Sequence, residues 1–476
     1  MNRKLSAVKA LKLVLLVLVV ITVSACITPT RNELFSDIDR GAYRGDFEIA
    51  LKQLEIEREE LYTDRDGVLY HLDMGMLTHA AGEYQRSIRH FSEAEMLIED
   101  YYTRSVSQAA ASLLLNDTQL NYYGEDFEDI YLNVFNALNF IALGDNDSAF
   151  VEVRRIDQKL RLLDDKYNEL AQGYSRSEHI GGAGIQAGTS QFHNSALARY
   201  ISLVLHRSRY LDDGVRVDWG YLQQAFAAQG QLYPFPLPLD EKTVIRSNKP
   251  RLSVLAFAGR SPLKLANTLW INTYEDFVQI VAVSEQESVG RILDNYSILY
   301  FPGVEEGYRF KFELPSMVLR DTEVTGVRVK VDGSVVGELS LLEDMQRIAR
   351  EAFQAKQQLI FLKTVTRAIA KGFASEAAVG ALDKAGSASG SDFGAFMAAL
   401  IGLITRSAVD LSEQADLRVS RFFPAQAYVG EWELPSGTYS VALEYLSGNR
   451  VIYTERFSEV HIAPGKPNLV WAFNPR

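Results

Sequence analysis

The stretch LYPFPLPLD, Leu232 to Asp240, divides the chain into two halves with different hydrophobic periods. Its three prolines lock φ and remove backbone donors, so no helix runs through it and it reads as a stiff boundary. Before it, apolar residues recur at helical spacing. After it come alternating or wholly apolar runs of strand length, RLSVLAFAG, DFVQIVAV, YSILYFPGV, FKFELPSMV and GVRVKVDGSVVGELSL, with Val331-Asp332-Gly333-Ser334 as a hairpin signal. Helical spacing returns from Leu342 to Leu411, and the remainder is strand-like again: AYVGEWELPSGTYSVALEYL, RVIYTERFSEVHIAP and NLVWAFNP. Strands that bury one face need partners, so the economical expectation is one antiparallel β-sandwich interrupted by a helical insertion; two separate small sheets are the other arrangement.

The start of the chain says where it works. Arg3, Lys4, Lys9 and Lys12 lead into an unbroken apolar run from Leu13 to Ile21, followed by small residues, the three-part pattern of a secretory signal. It resembles a bacterial lipoprotein signal, in which Val23-Ser24-Ala25-Cys26 is the lipobox. That resemblance implies loss of residues 1–25, lipidation of Cys26 and a tether over 26–35. Cys26 is the only cysteine, so no intramolecular disulfide forms, and lipidation explains its presence. A cleaved signal without lipid and a single membrane anchor are the alternatives, though the apolar run is short for a bilayer. Ile27, not Asp, follows the cysteine, which points to the outer membrane.

The rest of the composition is that of globular protein, 47% hydrophobic. Loss of the signal removes four of the 49 basic residues and none of the 61 acids, leaving a net charge of −16. This balance disfavours nucleic acid and broad adhesion to anionic lipid.

Within 36–240 the segment LDMGMLTHAAGEYQRSIRHFSEAE places Gly75, Gly82, Tyr84, Ser87, Phe91 and Ala94 at the spacings of a tetratricopeptide repeat, with Ser87 where alanine is usual. GAYRGDFEIALKQL (Gly45, Phe47, Ala50, Leu54) and NALNFIALGDNDSAFVEV (Ala137, Gly144, Ala149, Val153) resemble partial copies. Gly45 and Gly82 are 37 residues apart, and the 62 from Gly82 to Gly144 leave room for one degenerate copy. Beyond the repeat, Tyr122 to Leu160, LSVLAFAGRSPLKLA, FELPSMV, VRVKVDG, LLEDMQRIAREAF and ADLRVSRFFPAQ are similar to segments of an uncharacterised family of tetratricopeptide-containing bacterial lipoproteins. The family offers no catalytic residues to transfer. It implies an envelope protein in the company of accessory lipoproteins of cell-wall synthesis.

Few residues suggest a site. Tyr123, Glu125 and Glu128 surround a helix start with acids at the positive end of the helix dipole, and Glu125 or Glu128 is expected to pair with Arg155 across a hairpin. Arg260, in Gly259-Arg260-Ser261-Pro262, marks either an exposed functional loop or an ordinary turn. His179 to Gly188 is glycine-rich but lacks the Lys-Ser/Thr ending of a phosphate loop, and His179, His193 and His206 lack zinc-site spacing. No GxSxG, catalytic cysteine or Ser-xx-Lys set is present, whereas a carboxylate pair leaves no linear trace. The insertion, 342–411, contains two Ala/Gly-rich helices, LIFLKTVTRAIAKGFASEAAVGALDKAG and FGAFMAALIGLITRSAVDL, expected to form a hairpin packed on the sheet, a partner or the membrane.

The expectation is therefore an α+β outer-membrane lipoprotein, with a tetratricopeptide-like helical superhelix over 36–240 and a β-sandwich over 241–476. It would bind an envelope protein through the superhelix without catalysis, with no cofactor, metal or nucleic acid. Tyr123, Glu125, Glu128, Arg155 and Arg260 are the candidate contact residues. The competing class is a peptidoglycan- or polysaccharide-binding or hydrolysing protein that uses the sandwich.

Overall fold

The computed structural model describes residues 34–107, 116–175, 189–241, 249–275, 277–286, 290–300, 306, 309–372, 411–413 and 415–476. Cys26, the glycine-rich stretch 179–188 and the second helix of the insertion lie outside the described residues. The fold is mixed, with a helical N-terminal region and a C-terminal region dominated by sheet. Among the described residues no helix is long and apolar enough to cross a membrane.

The helical region consists of α1 (Ser36–Arg44), α2 (Phe47–Ile56), α3 (Arg58–Leu61), α4 (Gly67–Ala80), α5 (Tyr84–Ser107), α6 (Asp126–Ala142), α7 (Asn146–Ser175), α8 (Ala196–Ser208) and α9 (Asp212–Ala228). Gly45, Gly82 and Gly144 stand between the members of the pairs α1/α2, α4/α5 and α6/α7, at φ 85°, 77° and 79°. Only glycine enters that left-handed region without cost, which is why each pair turns there. Between Gly82 and Gly144, helix α5 continues to Ser107 and 116–125 is irregular apart from a 3-10 turn at Asp117–Gln119, so the described residues hold no further helix pair in that interval.

The strands are β1 (Arg251–Ala258), β2 (Leu263–Tyr274), β3 (Phe277–Gln286), β4 (Gly290–Tyr300), β5 (Arg309–Val318), β6 (Gly326–Val331), β7 (Ser334–Asp344), β8 (Leu411–Glu413), β9 (Gln426–Glu433), β10 (Gly437–Ser447), β11 (Arg450–Ile462) and β12 (Leu469–Asn474), with α10 (Met345–Gly372) between β7 and β8. They form two sheets, β11-β10-β6-β7-β9-β1-β12 and β4-β3-β2-β5-β8. Strands before and after the insertion thus share a sheet, but the expected purely antiparallel pairing is not found: β1 runs parallel to β12 and β5 parallel to β8. Parallel neighbours need long connections, and here the intervening strands and the insertion supply them.

In the first of these sheets β7 is the central strand. Residues 334–339 of β7 pair with β6 and 340–344 with β9, so β7 joins two halves. Val254, Val327, Val329, Val441 and Leu443 are fully buried in a cluster to which no helix contributes. Ala256 and Val470 of one half of the sheet and Val329 and Leu443 of the other share this cluster.

β1 explains its own apolar sequence. Leu252, Val254, Ala256 and Ala258 join the cluster formed within the sheet region, while Leu255 and Phe257 face the helices. A strand buried on both faces loses the alternation of a half-exposed one. Through that second face the helical and sheet regions share one continuous core, running from Phe35 through Phe135 to Phe257, Val429 and Trp471. Met345, Ile348, Ala349 and Phe353 of α10 belong to it. So do Val419, Phe422 and Phe423 of the crossing segment 415–425, where Phe423 meets the rings of Phe91, Phe127 and Phe135.

Candidate functional site

The first turn of α6 sits at the junction of helices, sheet and crossing segment. Gly124, at φ 84°, lets the chain reverse into the helix. A reciprocal cap then forms, with the Glu125 N–H donating to Glu128 Oε2 at 2.7 Å and the Glu128 N–H side of the helix capped by Glu125. On one side of this turn lies a cavity of about 270 Å³, lined among others by Tyr101, Tyr122, Tyr123, Glu125, Lys264, Lys356, Leu359, Asp416 and Arg418.

Its charges are matched inside the protein. The ammonium groups of Lys264 (β2) and Lys356 (α10) bracket the two oxygens of buried Glu125. Asp126 receives Lys166 at 2.8 Å and the Tyr167 hydroxyl at 2.8 Å. Burial works against the Asp126 carboxylate, but Lys166 and Lys356 outweigh it and hold the group far below its usual range. Arg418 pairs with Asp416 at 2.7 Å and donates to the carbonyls of Leu120 (3.0 Å) and Asp117 (2.8 Å). Glu128 accepts from Tyr122 (2.7 Å), the Glu125 N–H and the Ser420 N–H. Burial and neighbouring Glu125 push Glu128 up to about 7 even against these donors. One helix further away, buried Asp73 accepts from Tyr62 (2.7 Å), Ser420 Oγ (2.6 Å) and the Arg421 N–H (3.0 Å). The crossing segment is therefore fastened to the helices by carboxylates along its length.

On the other side of the same turn, α5 and α7 form the walls of a groove of about 560 Å³ with α6 as its floor. Lys159 is held by Glu95 at 2.8 Å, Asp129 at 2.7 Å and Asn133 Oδ1 at 2.7 Å, and Arg155 by Glu95 at 2.6 Å. The Asn133 amide donates to Glu95 (2.9 Å) and Glu152 (2.7 Å). Burial raises Glu152, whereas Glu95 is lowered because Lys159, Asn133 and Arg155 overcome its burial. Such a split is what an acid/base pair needs, but Glu95 lines the groove and Glu152 does not. Towards solvent the walls carry Met96 and Leu162, 54% and 51% exposed.

The structure brings Tyr123 and Glu125 to the cavity, whereas Glu128, fully buried one helical turn on, does not line it. Arg155 belongs to the groove, and its partners are Glu95 and Glu152 rather than the expected Glu125 or Glu128, which face the lysines and Ser420 instead. Arg260 lies over the Tyr43 ring at 5.1 Å. Its loop is not an exposed one: Ser261 is buried, its N–H donates to the Phe423 carbonyl at 2.6 Å and its carbonyl accepts from Arg320 at 2.6 Å. His193 is exposed and His206 is paired with Asp218 at 2.7 Å. Among the described residues no group of three or more His, Cys, Asp or Glu is placed to hold a metal. Sequence reasoning missed Lys264, Lys356, Asp416 and Arg418. The one available signal was Lys264 in the apolar run SPLKLA, since a cation at a strand position among apolar neighbours needs a buried partner.

Neither a family model, nor a curated protein, nor a solved structure matches the chain.

Proposed function

We propose that the chain is an outer-membrane lipoprotein, held through Cys26 and facing the periplasm, that acts as a non-enzymatic binding and assembly factor for an envelope complex. Its glycine-turned helix pairs are taken as a tetratricopeptide-like superhelix, and the family of such lipoproteins is its proposed kin. The observation that carries the reading is the groove between α5 and α7, whose walls present exposed Met96 and Leu162 while the cations at its floor are bound to carboxylates of the same chain. A surface of that kind suits a polypeptide better than a reaction.

Two experiments test this. Replacing Cys26→Ala moves the protein from the membrane fraction to the soluble periplasmic fraction; unchanged fractionation rejects the lipid anchor. A photo-crosslinking residue at Leu162 captures a defined envelope protein in intact cells, whereas the same probe at Val335, exposed on β7, does not. Recovery of glycan instead of protein at Leu162 overturns the adaptor role.

A further inference from the structure

The groove between α5 and α7 has a floor whose charges cancel and a rim whose charges do not. Of the side chains lining it, Arg155, Lys159 and Lys166 are the cations, and each is bound to a carboxylate of α5 or of the floor, Glu95, Asp129 or Asp126. The remaining carboxylates, Glu99, Asp165 and Glu169, are exposed at the rim. None of the three forms an ion pair among the described residues; Glu169 accepts only the Tyr102 hydroxyl, at 3.3 Å. The other cations of α7 on this stretch, Arg154 and Arg161, line an adjoining hollow with Asp157, on the far side of Gln158 and Leu162, which both hollows share. Between the rim acids stand the most exposed apolar side chains of the two walls, Met96 on α5 and Leu162 on α7.

Resting on the adaptor reading, we propose that this groove binds a cationic amphipathic segment of the partner protein, with a large apolar side chain seated between Met96 and Leu162 and Lys or Arg side chains against Glu99, Asp165 and Glu169. The complementarity is of both kinds. The apolar pair offers area to remove from water, and the three unpaired carboxylates select the sign of the flanking charge and reject an acidic segment. Length agrees as well: at 1.5 Å per residue, the wall from Arg155 to Glu169 spans about 21 Å, the length of about 14 helical residues.

The test uses the full chain in detergent and two fluorescent peptides of about 14 residues, one an amphipathic Leu/Lys helix and the other its Leu/Glu counterpart, compared by anisotropy. The Leu/Lys peptide binds and the Leu/Glu peptide does not. The combined replacement of Glu99→Gln, Asp165→Gln and Glu169→Gln weakens binding by about tenfold or more, as does Met96→Asp. A control with the same change in net charge, Glu48→Gln, Glu59→Gln and Glu60→Gln on α2 and α3, changes it by less than about twofold. All six carboxylates are exposed, so thermal melts of both triple variants match the parent. Equal weakening by the two triple variants shows attraction to bulk charge and overturns the proposal, as does binding of the Leu/Glu peptide or of neither.

Crosslinking at Leu162 separates this failure from that of the adaptor reading. If an envelope protein is captured there through a segment that lacks basic residues, the adaptor stands and the cationic ligand falls. If the peptides behave as expected and no envelope protein is captured, the groove chemistry stands and the adaptor falls.

Discussion

The two sides of the first turn of α6 use the same residue types to opposite ends. On the cavity side, Glu125 is 5% exposed and takes two ammonium groups, and Glu128 takes three donors, one of them the Ser420 N–H of the crossing segment. On the groove side, the Arg155 side chain is itself 45% exposed, although its partners Glu95 and Glu152 are buried. The lesson is that a charge network is read from its burial. Removing one member of a buried set strands the others in low dielectric, whereas water replaces a lost partner at the surface.

Substitutions grade this contrast from the seam outwards. Phe423→Ala, where the crossing segment plugs the shared core among three aromatic rings, lowers unfolding free energy by about 3–5 kcal/mol in urea titrations. Glu125→Leu leaves Lys264 and Lys356 buried without their carboxylate and costs about 3 kcal/mol or more; adding Lys356→Met recovers part of it, and no recovery breaks the argument that stranded charge is the cause. Glu128→Gln turns an amide N–H towards a backbone donor and costs about 1–3 kcal/mol at pH 5. That cost is pH-dependent. Because the Glu128 pKa in the fold is raised to about 7, its contribution is complete below the unfolded value near 4.5 and is lost as pH rises through 7. The gap between the parent and Glu128→Gln therefore narrows from pH 5 to 8 in a series of urea titrations, and a gap constant with pH contradicts the raised value. Arg155→Ala, on the groove side, costs less than about 1 kcal/mol; a loss as large as that of Glu125→Leu erases the distinction between the two faces.

The same contrast separates what was legible from what was not. The helix start at Asp126 after the Gly124 turn was readable, as was the Asp332-Gly333 hairpin, because both are local backbone requirements written in residue type. The partner of Arg155 was not, since Glu95 lies on α5 and the expected Glu125 and Glu128 are turned the other way by the lysines. The fully apolar run of β1 announced burial but not its reason, which is that two cores meet on it.

By itself the sequence determined the order of helix-rich and strand-rich segments and the places where glycine turns the helix pairs, because period and φ are properties of near neighbours. Only the tertiary structure decided that β1 pairs in parallel with β12, Ser253 opposite Leu469, that β7 pairs with β6 along one part and with β9 along the other, and which carboxylates are buried with cations and which, among the described residues, stand unpaired at a rim. Those outcomes depend on where distant segments meet, and the free energy of a charge depends on what surrounds it there.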